Sequence, residues 1–204
     1  YRIKQELKKF NHTVSYYQVV EALRVLSLTR MELKAPSQKK SIIFSPISTL
    51  YLSEAGAKDD SFVILSSFVT DAILEVGFRL CSYTKLMGYR TVIARRLHKR
   101  LAHHFKQAAV GNSYRITVTT LLRDFGIESL PRLKDSLRQV EEGLKEMVDA
   151  GVIAGFRIAD RVYESGSGRL EDATVVLTPT AEFAKEIKLA NFFQTQNKTE
   201  LPKM

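Results

Sequence analysis

Apolar residues in the second half of the chain recur at the three- and four-residue spacing of amphipathic helices. Thr91 is a suitable N-cap for a helix that runs to about Gln107, with Leu97 and Leu101 on its apolar face. The next elements predicted are a strand at 114–116, a helix at 117–125, a helix from Pro131 to about 150, strands at 152–158 and 174–177, and a helix from 178 to 190. Gly126 and Gly151 stand where helix ends favour a left-handed residue.

The first half of the chain shows a weaker pattern. Apolar residues that recur every three positions predict a helix within 14–28. Strand-forming residues follow at 31–34 and 41–52, on either side of a polar turn. The segment 61–80 stays open between strand and helix, and 85–89 is expected to be a connector. A short repeat precedes each predicted hairpin: Glu21-Ala22-Leu23-Arg24 before the first and Glu142-Gly143-Leu144-Lys145 before the second.

The predicted element order is that of a winged helix-turn-helix: helix, strand, short helix, turn, longer helix and hairpin. We therefore predict an α+β fold, mainly α, with a winged-helix domain at 85–204. The region 1–84 is expected to hold a partial first winged helix in tandem with it.

The positive charge is concentrated in one segment. The 204 residues carry a formal net charge of +9, and residues 86–115 contain seven Lys/Arg and no Asp/Glu. Such a block favours a polyanion, nucleic acid first and an anionic membrane second, although a solvated cationic helix face has the same composition. We expect double-stranded DNA as the partner and no membrane. No apolar run reaches the length that a membrane-spanning helix needs.

The sequence lacks the residues that several kinds of reactive or metal-binding site require. The single cysteine, Cys81, excludes an internal disulfide and suits a reducing cytoplasm. No phosphate loop or nucleophile elbow is present. His98, His103 and His104 are expected at the surface, since their spacing does not suit a metal site. Tyr16 and Tyr17 lack the metal-binding motif of strand-nicking initiators and are expected in the core. We predict no enzymatic activity and no cofactor.

The exposed start of the longer helix is the predicted recognition element. Arg132 and Arg138 can bond guanine, and Gln139 can pair with adenine, whereas Lys134 suits phosphate and Ser129 precedes them on the same surface. Arg161 and Arg169 flank the glycine-rich hairpin tip and are expected to follow the backbone or minor groove. The phosphate contacts predicted for the basic helix are Arg95, Arg96, Lys99 and Arg100. Each of these residues could also be an ordinary solvated side chain.

The chain resembles the winged-helix group of plasmid-encoded replication initiators of bacteria. The resemblance rests on Val20-Glu21-Ala22-Leu23-Arg24-Val25-Leu26-Ser27, Ala94-Arg95-Arg96-Leu97-His98-Lys99-Arg100-Leu101, Tyr114-Arg115-Ile116, Leu122-Arg123-Asp124-Phe125-Gly126 and Phe183 to Asn191. It implies binding to repeated origin sequences, recruitment of the host helicase or initiator, and a homodimer that dissociates to monomers. It also implies base readout by Arg132, Lys134 and Arg138 and phosphate contact by Arg95, Arg96 and Arg100.

Other functions remain open at this point. A winged-helix transcriptional repressor would bind one palindromic operator instead of origin repeats. A nicking enzyme would need a metal ion, and a protein-interaction module would use the same fold without DNA.

Overall fold

A computed structural model describes residues 2–35, 40–53, 61–74 and 79–199. The chain divides into two compact units, Tyr1–Phe78 (the N-terminal unit) and Arg79–Met204 (the C-terminal unit). The C-terminal unit starts at Arg79, six residues before the predicted start at 85. Arg79 is hydrogen-bonded to other residues of the C-terminal unit. Its guanidinium donates to the carbonyl of Ala102, to Asn191 Oδ1 at 2.6 Å and to Gln194 Oε1 at 2.9 Å.

The N-terminal unit consists of helices and two hairpins. Its elements are α1 (Arg2–Lys8), α2 (Tyr16–Leu28), β1 (Met31–Ala35), β2 (Lys40–Phe44), β3 (Ile47–Tyr51), β4 (Phe62–Leu65) and α3 (Ser67–Leu74). β1 pairs with β2 and β3 pairs with β4, both antiparallel. The polar composition of 53–60 predicts a loop, of which only Ser53 is described. Residues 36–39 of the turn predicted at 35–40 also lie outside the described residues.

Few side chains of the N-terminal unit are buried. Among its described residues only Ile47 is a buried apolar side chain. Tyr16 is 48% and Tyr17 81% exposed, so the expectation that both are core residues is wrong. The start of helix α2 is capped locally, since the side chain and backbone of Ser15 form reciprocal hydrogen bonds with Gln18.

The C-terminal unit has more elements and a larger core. Its elements are α4 (Tyr83–Gly88), α5 (Val92–His104), β5 (Tyr114–Thr117), α6 (Val118–Asp124), α7 (Leu133–Asp149), β6 (Ile153–Tyr163), β7 (Leu170–Pro179) and α8 (Ala181–Thr199). The three strands form an antiparallel sheet in the order β5-β7-β6. The protein is therefore α+β. The connector expected at 85–89 is wrong, because Ser82 accepts a hydrogen bond from Lys85 and caps α4.

The packing of α5 against α7 forms the centre of this core. Leu97, Val140 and Leu144 are fully buried. At Gly143 a β-carbon would lie 2.9 Å from Ile93 Cγ2, so the absence of a side chain lets the helices approach. The carboxylate of Glu146 on α7 accepts hydrogen bonds from the backbone N–H groups of Arg90 at 3.0 Å and Thr91 at 3.1 Å. It thereby joins α7 to the N-terminus of α5.

His98 lies inside this core, so the expectation of a surface histidine is wrong for this residue. It is 1% exposed, and its Nδ1 lies 3.0 Å from the hydroxyl of Tyr89. The ring of Phe183 on α8 packs against it with centroids 5.8 Å apart. Burial, and secondarily the positive charge of Lys85, lower the pKa of His98 to about 4. His98 is therefore neutral at physiological pH. His103 and His104 are exposed.

The β6–β7 hairpin is bent close to its tip. The strand register shifts between Ala159 and Val162, and Asp160 adopts a left-handed conformation with φ of 45°. The carboxylate of Asp160 is held by Arg115 at 2.6 Å. Because such a bulge changes the direction of a strand, it determines where the tip of the hairpin points.

In the part of the chain that the structure describes, no helix combines the length and the apolar character that crossing a membrane requires.

Candidate nucleic-acid interface

A groove of about 820 Å³ lies between the start of α7 and the hairpin tip. We call it the α7–hairpin groove. Five basic side chains line it: Arg132, Lys134, Arg138, Arg161 and Arg169. The first three come from the start of α7 and the last two from the hairpin. Tertiary structure thus brings together two groups of cations about thirty residues apart.

The orientation of α7 follows from its apolar stripe. Leu133 and Leu137 are buried, which turns Lys134 and Arg138 outward, since residues four apart share one face of a helix. The loop before α7 is held by Ser136, whose hydroxyl accepts a hydrogen bond from the backbone N–H of Leu130 at 2.9 Å. The helix starts at Leu133, two residues later than predicted from Pro131. Arg132 occupies the N-cap position without a side-chain cap.

Four of the five groove cations form neither an ion pair nor a side-chain hydrogen bond with another described residue. Arg132, Lys134, Arg138 and Arg161 are exposed and form no ion pair with any other described residue. Positive side chains that line one groove raise the local electrostatic potential and attract anions. The groove is therefore suited to a polyanion.

Arg169 differs from these four because it is bonded within the protein. Its guanidinium donates to the carbonyl of Pro131, in the loop that leads into α7. The backbone N–H of Glu164 donates to the carbonyl of Arg169 at 2.8 Å and closes the hairpin tip. Arg169 therefore joins the hairpin tip to the start of α7, and this contact bridges the two sides of the groove.

Two other predicted residues lie beside the groove. Ser129 is exposed and its hydroxyl donates to the carbonyl of Leu130 at 3.3 Å. Gln139 is an exposed residue of α7. Neither side chain lines the α7–hairpin groove.

The four predicted phosphate contacts of α5 fall into two pairs. Arg96 and Lys99 are exposed and line a shallow depression next to Gly126, which we call the α5 surface. Its other charged or titratable lining residues are Arg100, His103, His104 and Asp124. It has no lining residue in common with the α7–hairpin groove.

The other two arginines of α5 are bonded within the protein. Arg95 donates to the carbonyls of Leu86 at 3.3 Å and Tyr89 at 2.8 Å and so holds α4 against α5. Arg100 donates to Asp124 at 2.5 Å and to the hydroxyl of Tyr114 at 2.9 Å. Their guanidinium groups connect secondary-structure elements, which leaves Arg96 and Lys99 as the residues of this set that are open to an external phosphate.

Glu141 is a groove residue that sequence reasoning missed. It lines the α7–hairpin groove together with the five cations. Its position, three residues after Arg138 and seven after Lys134, puts it on the same helix face and could have identified it. No cluster of three or more potential metal ligands occurs among the described residues.

The chain was compared with protein-family models, with curated proteins and with solved structures, and no match was found in any of the three.

Proposed function

We propose that this protein binds double-stranded DNA sequence-specifically, through a winged helix-turn-helix in its C-terminal unit. The observation that carries the proposal is the α7–hairpin groove, where Arg132, Lys134, Arg138 and Arg161 are exposed without acidic partners. In this assignment α6 braces α7, α7 enters the major groove, and the β6–β7 hairpin is the wing.

The element order and the strand order support this assignment. The order α5-β5-α6-α7-β6-β7 with the sheet order β5-β7-β6 places the hairpin beside the start of α7. A helix with its side chains is about 10–12 Å across, which matches the width of about 12 Å of the DNA major groove. The start of α7 has no side-chain cap, and the backbone N–H of Asp135 donates to the carbonyl of Arg132 at 2.9 Å, so the N–H groups of Leu133 and Lys134 are the ones available to a phosphate.

The free cations predict a strong salt dependence. Each Lys or Arg that neutralises a phosphate releases counterions, so its loss lowers the slope of log K against log salt by about one. Arg96 and Lys99 add phosphate contacts only for DNA that extends from the groove onto the α5 surface. Arg95 and Arg100 are assigned to folding because of their internal hydrogen bonds.

The role proposed for this binding is initiation of replication at a plasmid origin in the bacterial cytoplasm, without catalysis. The resemblance to plasmid replication initiators supports it. A repressor role is the alternative, and footprinting on the DNA that flanks the gene separates the two. Several direct repeats protected side by side would support an initiator, and a single protected palindrome would support a repressor.

The groove itself is tested with Arg138→Ala and a control, Arg157→Ala. Arg157 is an exposed residue of β6 outside the groove, so both variants lose one exposed positive charge. The specific duplex is first selected from a random-sequence library with the wild-type protein. Arg138→Ala should weaken binding to it by about 1–3 kcal/mol, and Arg157→Ala should leave it nearly unchanged. Equal affinities for all three proteins would disprove the assignment of α7 as the recognition helix.

A further inference from the structure

Glu141 is the acidic residue of an otherwise cationic groove. Five Lys/Arg side chains and this one carboxylate line the α7–hairpin groove. Glu141 is half-buried as a residue, and its carboxylate forms neither an ion pair nor a hydrogen bond with another described residue. Arg138, one helical turn earlier on the same face, is also without an acidic partner. An acceptor and a donor thus stand side by side, each with its hydrogen-bonding capacity free.

A carboxylate at this position is unfavourable for a surface that contacts only the DNA backbone. Glu141 would repel every phosphate that approaches it, and like charges in a confined groove are screened less than on an open surface. The favourable neighbour for an ionised carboxylate is a donor group, because the carboxylate can only accept hydrogen bonds. The place of Glu141 in the groove is therefore suited to a base edge that presents a donor.

Among the bases, cytosine presents only a donor in the major groove. Its N4 amino group donates, whereas guanine on the opposite strand presents two acceptors, O6 and N7. Arginine bonds both guanine acceptors, and glutamate accepts from cytosine N4. The adjacent pair of Arg138 and Glu141 matches the donor and acceptor pattern of one G·C base pair.

We propose that Arg138 and Glu141 together read a G·C base pair, with Arg138 donating to guanine and Glu141 accepting from cytosine. This inference rests on the proposed function and adds the identity of a base pair within the target. It makes Glu141 a residue that determines specificity, and not one that adds affinity for DNA in general.

The test compares Glu141→Gln with Glu142→Gln. Both substitutions remove one negative charge from adjacent positions of α7, but Glu142 is exposed and does not line the groove. Wild-type protein and both variants select duplexes from the same library of random sequences, and the selected sequences are read. Affinity is then measured for the wild-type consensus and for copies in which each G·C pair is replaced by A·T.

Wild-type protein should require a G·C pair at one position and lose about 5- to 150-fold in affinity when it is replaced. Glutamine both donates and accepts, so Glu141→Gln should lose at least about threefold less affinity than the wild type when the pair is replaced, while Arg138 keeps part of the preference for guanine. Glu142→Gln should retain the wild-type requirement. Arg138→Ala should relax the requirement at the same position as Glu141→Gln.

The possible failures are distinguishable. If the wild-type protein enriches a defined sequence but Glu141→Gln enriches it with the same G·C requirement, the role of Glu141 is wrong and the proposed function stands. If Glu142→Gln relaxes the requirement equally, the effect is one of charge alone and the inference is overturned. If the wild-type protein enriches no sequence, both the inference and the proposed sequence-specific function are overturned.

Discussion

Acid should destabilise the C-terminal unit through His98, at a pH where most carboxylates are still ionised. His98 is 1% exposed and holds Tyr89 through its Nδ1, and its Nε2 has no hydrogen-bond partner among the described residues. Its pKa in the folded protein is about 4, against an ordinary value of 6.5. Protonation in the folded state would place a charge in the core between the rings of Tyr89 and Phe183.

The magnitude follows from these two pKa values. Below pH 6.5 the unfolded chain binds a proton at His98 that the folded protein does not, so the free energy of unfolding falls as the pH falls. Each pKa unit of difference corresponds to about 1.4 kcal/mol. Between about pH 7.5 and pH 5 the loss from His98 is about 2 kcal/mol, and it approaches about 3 kcal/mol once the pH is below 4.

The assay is guanidinium unfolding at about pH 7.5 and pH 5, followed by circular dichroism, on wild-type protein and His98→Phe. The phenyl ring is a flat aromatic ring like imidazole, somewhat larger, but it does not titrate, and it leaves the Tyr89 hydroxyl without this partner at both pH values. The variant should therefore be less stable at pH 7.5 and should lose about 2 kcal/mol less than the wild type on acidification. His104→Gln, an exposed position on the same helix, should retain the wild-type pH dependence. The same loss of stability in wild type and His98→Phe would refute the argument.

Three further substitutions test the packing of the C-terminal unit, each by its free energy of unfolding in guanidinium. Gly143→Ala should cost about 1–3 kcal/mol although alanine favours helices, because its β-carbon would meet Ile93 and the backbone of α5; an increase in stability would contradict the close approach of α5 and α7. Glu146→Gln should cost about 1–3 kcal/mol by weakening the charge-assisted hydrogen bonds to Arg90 and Thr91, and unchanged stability would contradict this capping role. Gly126→Ala should cost about 1–2 kcal/mol, because φ at this position is +57°, whereas Gly88→Ala, at a position without positive φ, should not pay this backbone penalty.

The predictions that the structure confirms are those that depend on local sequence. The caps of Thr91 and Thr117 and the left-handed Gly126 and Gly151 are confirmed. A cap or a helix end is decided by hydrogen bonds within about four residues, which a linear pattern contains. The order of helices and strands from 91 to 190 follows from periodicity for the same reason.

Tertiary structure decided which polar residues face outward. Arg95, Arg96, Lys99 and Arg100 are alike in the sequence, yet Arg95 and Arg100 are bonded internally and the other two are open to solvent. Periodicity assigns a polar residue to the polar part of a helix but does not show which element packs beside it. The partner of Arg100, Asp124, comes from another helix.

The sequence by itself determined the order of the elements from α5 to α8 and where the basic residues are concentrated, because both depend on neighbours along the chain. The burial of His98, the anchoring of Arg169 to Pro131 and the meeting of Glu141 with cations of the hairpin were decided by the fold. These contacts join residues that are tens of positions apart in the sequence. Hydrogen bonds and charges depend on how close two groups are in space, which the sequence does not state. Their partners became neighbours only once α7 and the bent hairpin had packed around one core.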